Sequence, residues 1–399
     1  MKKRNILMIT PYLPAPSQSG GQTRSFYLIK HLSKENNLTL ICFTRDEKGL
    51  SEIKPFCKKI VIVKRGKTWD LKKILRTGLS PYPFLISNYL SDELQEKIKE
   101  EIDTNQYDLI HTECFYLMPN IPETKIPIVL VDQTIEYAVY EHYTQTISGL
   151  KSLLKPLMWI DVMKLKYWEH YYWKKTHTVV AVSDEDKKVI ARDTKRNDVE
   201  IIPNGIDKKY TDAQIQTKKT KYPSIIYGVS NMKWMQNSEC VELLLKKVWP
   251  EIKASIPDCK LYIIGRYAAD KFGQFVSKDV VVTEAGLDGE KNDPISYYQR
   301  SWLLVAPILS GNGTRTKFFE AMATSLPIIT TKQGMEGIEI ENKKHAYVVP
   351  FNDIAKTTVS LLNDKKTRNK IGREAKKLVS KHYTWEMSAK KLNTLYSQL

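Results

Sequence analysis

The segment most able to do chemistry is Pro307-Ile-Leu-Ser-Gly311-Asn-Gly-Thr-Arg315-Thr-Lys317-Phe-Phe-Glu320-Ala-Met-Ala323. An apolar run, Leu303–Pro307, leads into a glycine loop and then a helix-forming stretch, about Thr316–Ala323, whose start carries Arg315 and Lys317. A helix start presents unpaired backbone N–H groups and the positive end of the helix dipole, so it attracts anions, and two cations beside it suit a diphosphate. Glu320 falls one turn beyond Lys317 on the same face, where a carboxylate can take the hydroxyls of a ribose.

A second glycine pair, Ser19-Gly20-Gly21-Gln22-Thr23, follows the apolar run Asn5–Thr10. Beyond the carboxyl end of a strand, paired glycines let backbone amides approach phosphate. The pair lacks the G-x-G-x-x-G fingerprint of a nicotinamide site. No H-E-x-x-H element and no His or Cys cluster has metal-ligand spacing, and the acidic run Asp184-Glu185-Asp186 reads as a helix start, so no metal and no cofactor is expected. Ser183 and Ser310 lack the G-x-S-x-G elbow of a serine hydrolase.

The elements that must position these loops alternate along the chain. Short apolar runs at Asn5–Thr10, Leu38–Thr44, Ile60–Val63, Leu109–His111, Ile128–Val131, Thr178–Val182 and Glu200–Pro203 are separated by helical stretches such as Asp92–Thr104. A second set follows a lysine-rich segment: Ser224–Gly228, Lys260–Gly265, Val280–Glu284, Leu303–Pro307, Pro327–Thr331 and Ala346–Val349. Such alternation predicts parallel sheets wound on both faces by helices, and 399 residues hold two such domains. The expected division is 1–205, 206–375 and a C-terminal helix, 376–399, returning to the first domain.

These residues resemble the retaining glycosyltransferases of family 4, which have the GT-B architecture: two facing Rossmann-like doubly wound α/β domains with a nucleotide-sugar in the cleft. The resemblance includes Pro11 with Gly20-Gly21, His111 and Glu113, Ala181-Val-Ser183, and Ile202-Pro-Asn-Gly-Ile-Asp207. It continues through Gly228, Trp234 and Asn237, Leu261-Tyr-Ile-Ile-Gly265, Gly286, the 311–323 motif, Gly334-Met-Glu-Gly337 and Tyr383-Thr-Trp385.

The resemblance implies transfer of a hexosyl unit from a nucleoside-diphosphate sugar to an acceptor hydroxyl by a front-face route, the departing phosphate helping to take the acceptor proton. Arg315 and Lys317 would neutralise that phosphate, Gly313 and Thr314 would hydrogen-bond it, and Glu320 would hold the ribose as the second acid of an E-x7-E pattern. The first acid is replaced by Asn312, whose amide can still bond sugar hydroxyls. Gly20, Gly21 and Gly228 would line the donor. Lys233 is present near the start of the second domain, but Ser230 stands where an arginine is usual, and Arg315 and Lys317 compensate. His111 falls where relatives place a polar residue near the reacting sugar, and Glu113 and Glu136 are further acids at strand ends.

Charge and composition bear on location and partners. Lys plus Arg number 62 against 45 for Asp plus Glu, a surplus of +17 concentrated towards the two ends. Five cysteines without a C-x-x-C pair predict a reducing, cytoplasmic setting, and no apolar run reaches the length of a membrane span. Residues 54–76 hold nine cations and the single acid Asp70, a segment suited to an anionic membrane surface where a carbohydrate or lipid-linked acceptor would be met, which would make the protein peripheral on the inner face of the cell membrane. The stretch Leu150–Lys175, rich in Leu, Trp and Tyr with lysines between, is expected to be a packed helix with its lysine stems outside. Polysaccharide or glycolipid assembly is the expected setting, and the residues that select donor and acceptor are expected on loops such as Tyr12–Gln22 and Gln133–Gly149. Two other classes remain: a nucleotide-sugar epimerase of the same layout, and a nucleic-acid binder, for which only the net charge speaks and no binding motif appears, so no nucleic acid is expected as partner.

Overall fold

The computed structural model describes residues 3–17, 19–66, 77–212, 219–284, 294–310 and 315–399. It divides into two units, the first gathering Met1–Ser17, Gly21–Pro203 and Ala389–Leu399, the second built on Asn204–Ser388.

The first unit is a seven-stranded parallel sheet in the order β3-β2-β1-β4-β5-β6-β7. Its strands are β1 (Arg4–Thr10), β2 (Asn36–Thr44), β3 (Lys59–Lys64), β4 (Leu109–Thr112), β5 (Ile128–Asp132), β6 (Thr178–Ala181) and β7 (Glu200–Ile201). The inner strands are unbroken apolar runs because helices cover both faces of the sheet: Ile6–Ile9, Ile110, Leu130 and Val179 are all buried. Helices α1 (Gly20–Leu32), α2 (Asp92–Thr104), α3 (Glu136–Thr146) and α4 (Lys155–Lys175) supply the crossovers. Local chemistry starts α2: Ser91 Oγ accepts from the Leu94 amide at 3.3 Å, and Asp92 and Glu93 occupy the positive end of the dipole.

The second unit is a six-stranded parallel sheet in the order β10-β9-β8-β11-β12-β13. Its strands are β8 (Ser224–Asn231), β9 (Lys260–Arg266), β10 (Val280–Thr283), β11 (Leu303–Ala306), β12 (Ile328–Thr330) and β13 (Tyr347–Val348). Helix α5 (Met235–Leu243) follows β8, and α6 (Thr316–Ala323) follows β11, burying Phe318, Phe319 and Met322 against the sheet. The chain closes with α7 (Lys365–His382), whose start is capped by Asp364 Oδ1 accepting from the Thr367 amide at 2.9 Å, and α8 (Trp385–Tyr396). Within the first unit, α8 is tied to the sheet by Asn36 Nδ2 donating to Asn393 Oδ1 at 2.8 Å.

Two expectations are corrected. The stretch 133–149, read as a loop, contains α3, because the carboxylate of Glu169 on α4 accepts from the Glu136 and Tyr137 amides at 2.9 Å each and so supplies the cap that the local sequence lacks. Gly20 and Gly21 form the first turn of α1 rather than a loop ahead of it.

Candidate active site

Both sheets reverse their strand order once, between β1 and β4 in the first unit and between β8 and β11 in the second. In open α/β sheets the crevice at such a reversal, beyond the carboxyl ends of the strands, is where ligands bind. Arg315, Lys317, Glu320 and Gly228 lie at the second of these places, and His111, Glu113 and Gly21 at the first.

In the second unit, Lys317 reaches inward from the first turn of α6. Its ammonium donates to Tyr227 Oη at 2.8 Å and Asn237 Oδ1 at 3.1 Å and lies 4.7 Å from the Tyr227 ring. Asn237 is itself fixed by donating to the Asn231 carbonyl at 2.8 Å, at the end of β8. Burial is the main force lowering the Lys317 ammonium, to about 7, and the nearby Arg315 guanidinium adds to it. Arg315 stands at the N-cap of α6 and donates from Nη2 to the Ser310 carbonyl at 3.1 Å. Ser310 Oγ in turn donates to Glu239 on α5. Two cations therefore sit side by side at the reversal of the sheet, and the atoms that receive the Lys317 ammonium are neutral.

Tyr298 joins two further expected residues. Its hydroxyl lies 3.2 Å from Glu320 Oε2 and 3.4 Å from the Gly228 carbonyl. Gly228 is glycine because a Cβ there would come within 2.9 Å of that same hydroxyl. Lys233 stands apart from this group: its ammonium lies 3.6 Å from the ring of Tyr267, a residue with a left-handed backbone (φ 62°) just beyond β9. Asn312, Gly313 and Thr314 lie outside the described residues.

In the first unit the corresponding place holds a buried charged network. Glu113, just after β4, receives a hydrogen bond from His111 Nε2 at 2.7 Å and one from Gln133, and lies 3.6 Å from Arg24 Nε on α1. Arg24 also donates to the Ile202 carbonyl at 3.1 Å. His111 Nδ1 meets Tyr396 Oη of α8 at 2.6 Å. All of these except Gln133 are buried. Burial opposes ionisation of Glu113, but the hydrogen bond from His111 and the charge of Arg24 outweigh it and hold the carboxyl below its usual range. His111, expected beside the reacting sugar, is buried with one ring nitrogen on Glu113 and the other on Tyr396. Gly21 lies directly above this network, where a Cβ would collide with Tyr12 Oη and stand 2.9 Å from Gln133 Oε1.

Glu136 is not presented at a strand end but opens α3, where burial pushes its carboxyl up to about 7. Within 54–76, Lys59 is paired with Glu101 and Arg65 stacks 4.4 Å from the Tyr89 ring, while Lys54, Lys58 and Lys64 are exposed and residues 67–76 lie outside the described set. Tyr12, Arg24, Gln133, Tyr227, Tyr298 and Tyr396 carry no motif, and sequence reasoning missed their part in the two sites.

Comparison with known proteins agrees with this geometry. The family model Glycosyltransferase Family 4 matches residues 18–210, and Glycosyl transferases group 1 matches residues 223–364. A search of curated proteins finds no match. Among solved structures, sucrose-phosphate synthase from Thermosynechococcus elongatus aligns with a TM-score of 0.71 at 16% identity over 99% of each chain. HepE from Anabaena in complex with UDP-glucose aligns at 0.66 and 12%, covering 99% of this chain and 100% of that one. WaaG, a glycosyltransferase involved in lipopolysaccharide biosynthesis, aligns at 0.68 and 12%, covering 97% of this chain and 98% of the other. With a family model over each unit and a doubly wound sheet in each, the chain belongs to the GT-B glycosyltransferases of family 4 and group 1.

Proposed function

We propose that the protein transfers a hexosyl unit from a nucleoside-diphosphate sugar to an acceptor hydroxyl with retention of anomeric configuration. The observation that carries the donor assignment is the cation pair at the reversal of the second sheet, where, among the described residues, Lys317 meets a phenol and an amide at hydrogen-bond distance. Neutral partners leave its charge to be matched by an anion, and a diphosphate supplies one. Glu320, steadied by Tyr298, takes the ribose hydroxyls, with Gly228 and Lys233 at the same end of the sheet. Asn312, Gly313 and Thr314 are assigned to the donor from the motif alone. Gly20 and Gly21 are assigned to the donor from the motif alone as well.

In the proposed step the bond from the anomeric carbon to the diphosphate oxygen breaks, the bond to the acceptor oxygen forms on the same face, and the acceptor proton passes to the departing phosphate. Arg315 and Lys317 stabilise the charge that develops on that phosphate, and the reading assigns no metal to the step. HepE was solved with UDP-glucose, which makes UDP the first nucleotide to test. WaaG acts in lipopolysaccharide biosynthesis, which supports an acceptor in polysaccharide or glycolipid assembly, met at the cytoplasmic face of a membrane.

A thermal-shift panel of UDP-, GDP-, ADP- and TDP-sugars should single out one nucleotide. Donor hydrolysis with and without EDTA and NMR of the anomeric proton in the product then test metal independence and retention. Inversion, or isomerised donor formed without any acceptor, would overturn the reading, the latter in favour of an epimerase.

A further inference from the structure

Helix α4 and the 3-10 turn that leads into it, Gly149–Leu154, are apolar on two sides. The inward side packs on the first core through Leu165, Tyr172 and Trp173. The outward side was expected to carry lysine stems. Instead it shows Leu153 (78% exposed), Leu157 (66%), Met163 (62%) and Tyr167 (63%), together with Leu150, Leu154, Ile160 and Tyr171. At 100° per residue, Leu157, Ile160, Met163, Tyr167 and Tyr171 fall within about 120° of the helix, so they form one stripe along its length. Leu79 extends it: 90% exposed, it belongs to the segment that Lys164 holds against α4 by donating to the Thr77 and Ser80 carbonyls at 2.8 and 2.7 Å.

Scattered exposed leucines are ordinary, but a contiguous apolar stripe on a helix whose other face is already packed calls for a second apolar surrounding. The charges indicate which. Both acids of α4 are turned to internal work: Asp161 accepts from the Phe84 amide at 2.8 Å, and Glu169 is buried as the cap of α3. Lys166 and Lys174 remain exposed along and beyond the stripe, as does Lys175, which lies 3.7 Å from Glu123. Apolar side chains with tyrosines at the margin, cations alongside and no exposed acid on the helix match the interface of a bilayer that carries anionic headgroups. A second copy of the chain would set like charges against each other. Among the described residues no helix is long and apolar enough to cross a membrane, so α4, about 31 Å in length, would lie along the surface.

We propose that the outward face of α4, with Gly149–Leu154 and Leu79, seats the protein on an anionic bilayer. Binding is independent of sugar transfer and is read without donor. Wild-type protein is mixed with vesicles of phosphatidylcholine alone or with added phosphatidylglycerol and separated by flotation. Recovery with the anionic vesicles is expected. Leu153→Glu/Leu157→Glu should lower partitioning at least tenfold while circular dichroism and melting temperature stay unchanged, because both positions are exposed. Lys174→Glu/Lys175→Glu should lower it about tenfold at low salt. Three results would overturn the proposal: wild-type protein that does not float, a Leu153→Glu/Leu157→Glu variant that floats like wild type while Lys54→Glu/Lys58→Glu abolishes recovery, or a wild-type dimer in sedimentation that the leucine changes dissolve.

Discussion

The two sheet reversals treat charge in opposite ways. In the first unit Arg24, Glu113 and His111 are buried together, and the Glu113 carboxylate finds a counter-charge in Arg24 and a hydrogen bond from His111. In the second, Lys317 is matched by Tyr227 and Asn237, neutral oxygens that fix its position without cancelling its charge, and Arg315 raises the local potential. Similar topology thus surrounds a buried charge with a counter-charge in the first unit and holds the Lys317 ammonium on neutral oxygens in the second.

The sharpest way to break this contrast is Glu113→Gln. If the network is framework, removing the carboxylate leaves Arg24 buried without its counter-ion and should cost about 3–5 kcal/mol of stability, measured by denaturant unfolding. An unchanged unfolding midpoint with abolished transfer would instead make Glu113 a group that meets the sugar. In the second unit the expectation is reversed: Arg315→Ala and Lys317→Ala should leave unfolding nearly unchanged and lower transfer by about 10²–10³, as loss of a preorganised donor does. Near-wild-type turnover in both would remove the donor assignment.

A smaller effect follows from pH. Lys317, lowered mainly by burial to about 7, is charged below that pH, and a bound diphosphate favours the charged form. Binding therefore takes up a proton, and UDP affinity should fall by up to about tenfold per unit as pH rises above 7. Titration calorimetry between pH 7.5 and 9, where UDP is already fully ionised, checks this; Lys317→Met should bind weakly with a flat profile.

The smallest effect is in the first unit. Burial raises the carboxyls of Asp132 and Glu169, while Trp173 Nε1 donates to Asp132 Oδ2 at 2.5 Å. Carboxyls raised on folding contribute stability that is complete below the ordinary carboxylate range, near pH ~4, and is lost as pH rises through their folded values. Both carboxyls are raised above that range on folding, so the loss sets in as pH rises above ~4. The melting temperature should decline over that rise, and Asp132→Asn should flatten the decline.

Much of this was legible in the chain because it is local. An apolar run such as Ile6–Ile9 is a buried strand wherever two helical layers cover it, and Arg315, Lys317 and Glu320 share one helix whose start and spacing are written in consecutive residues. What escaped reading depends on contacts across long separations. His111 meets Tyr396 through a helix 285 residues away, and Tyr298 links Gly228 to Glu320 from a helix without a motif. Helix α3 was missed because its cap comes from Glu169, 33 residues downstream.

Helix α4 marks the boundary most clearly. Its composition established a long apolar helix with interspersed lysines, but residues apolar on both sides do not say which side another element will cover. The sequence by itself determined the elements, their alternation and the cationic helix start, since each follows from the preferences of neighbouring residues. Only the tertiary structure decided which charges are cancelled internally and which apolar face stays uncovered, because both depend on what packs against a residue from elsewhere in the chain.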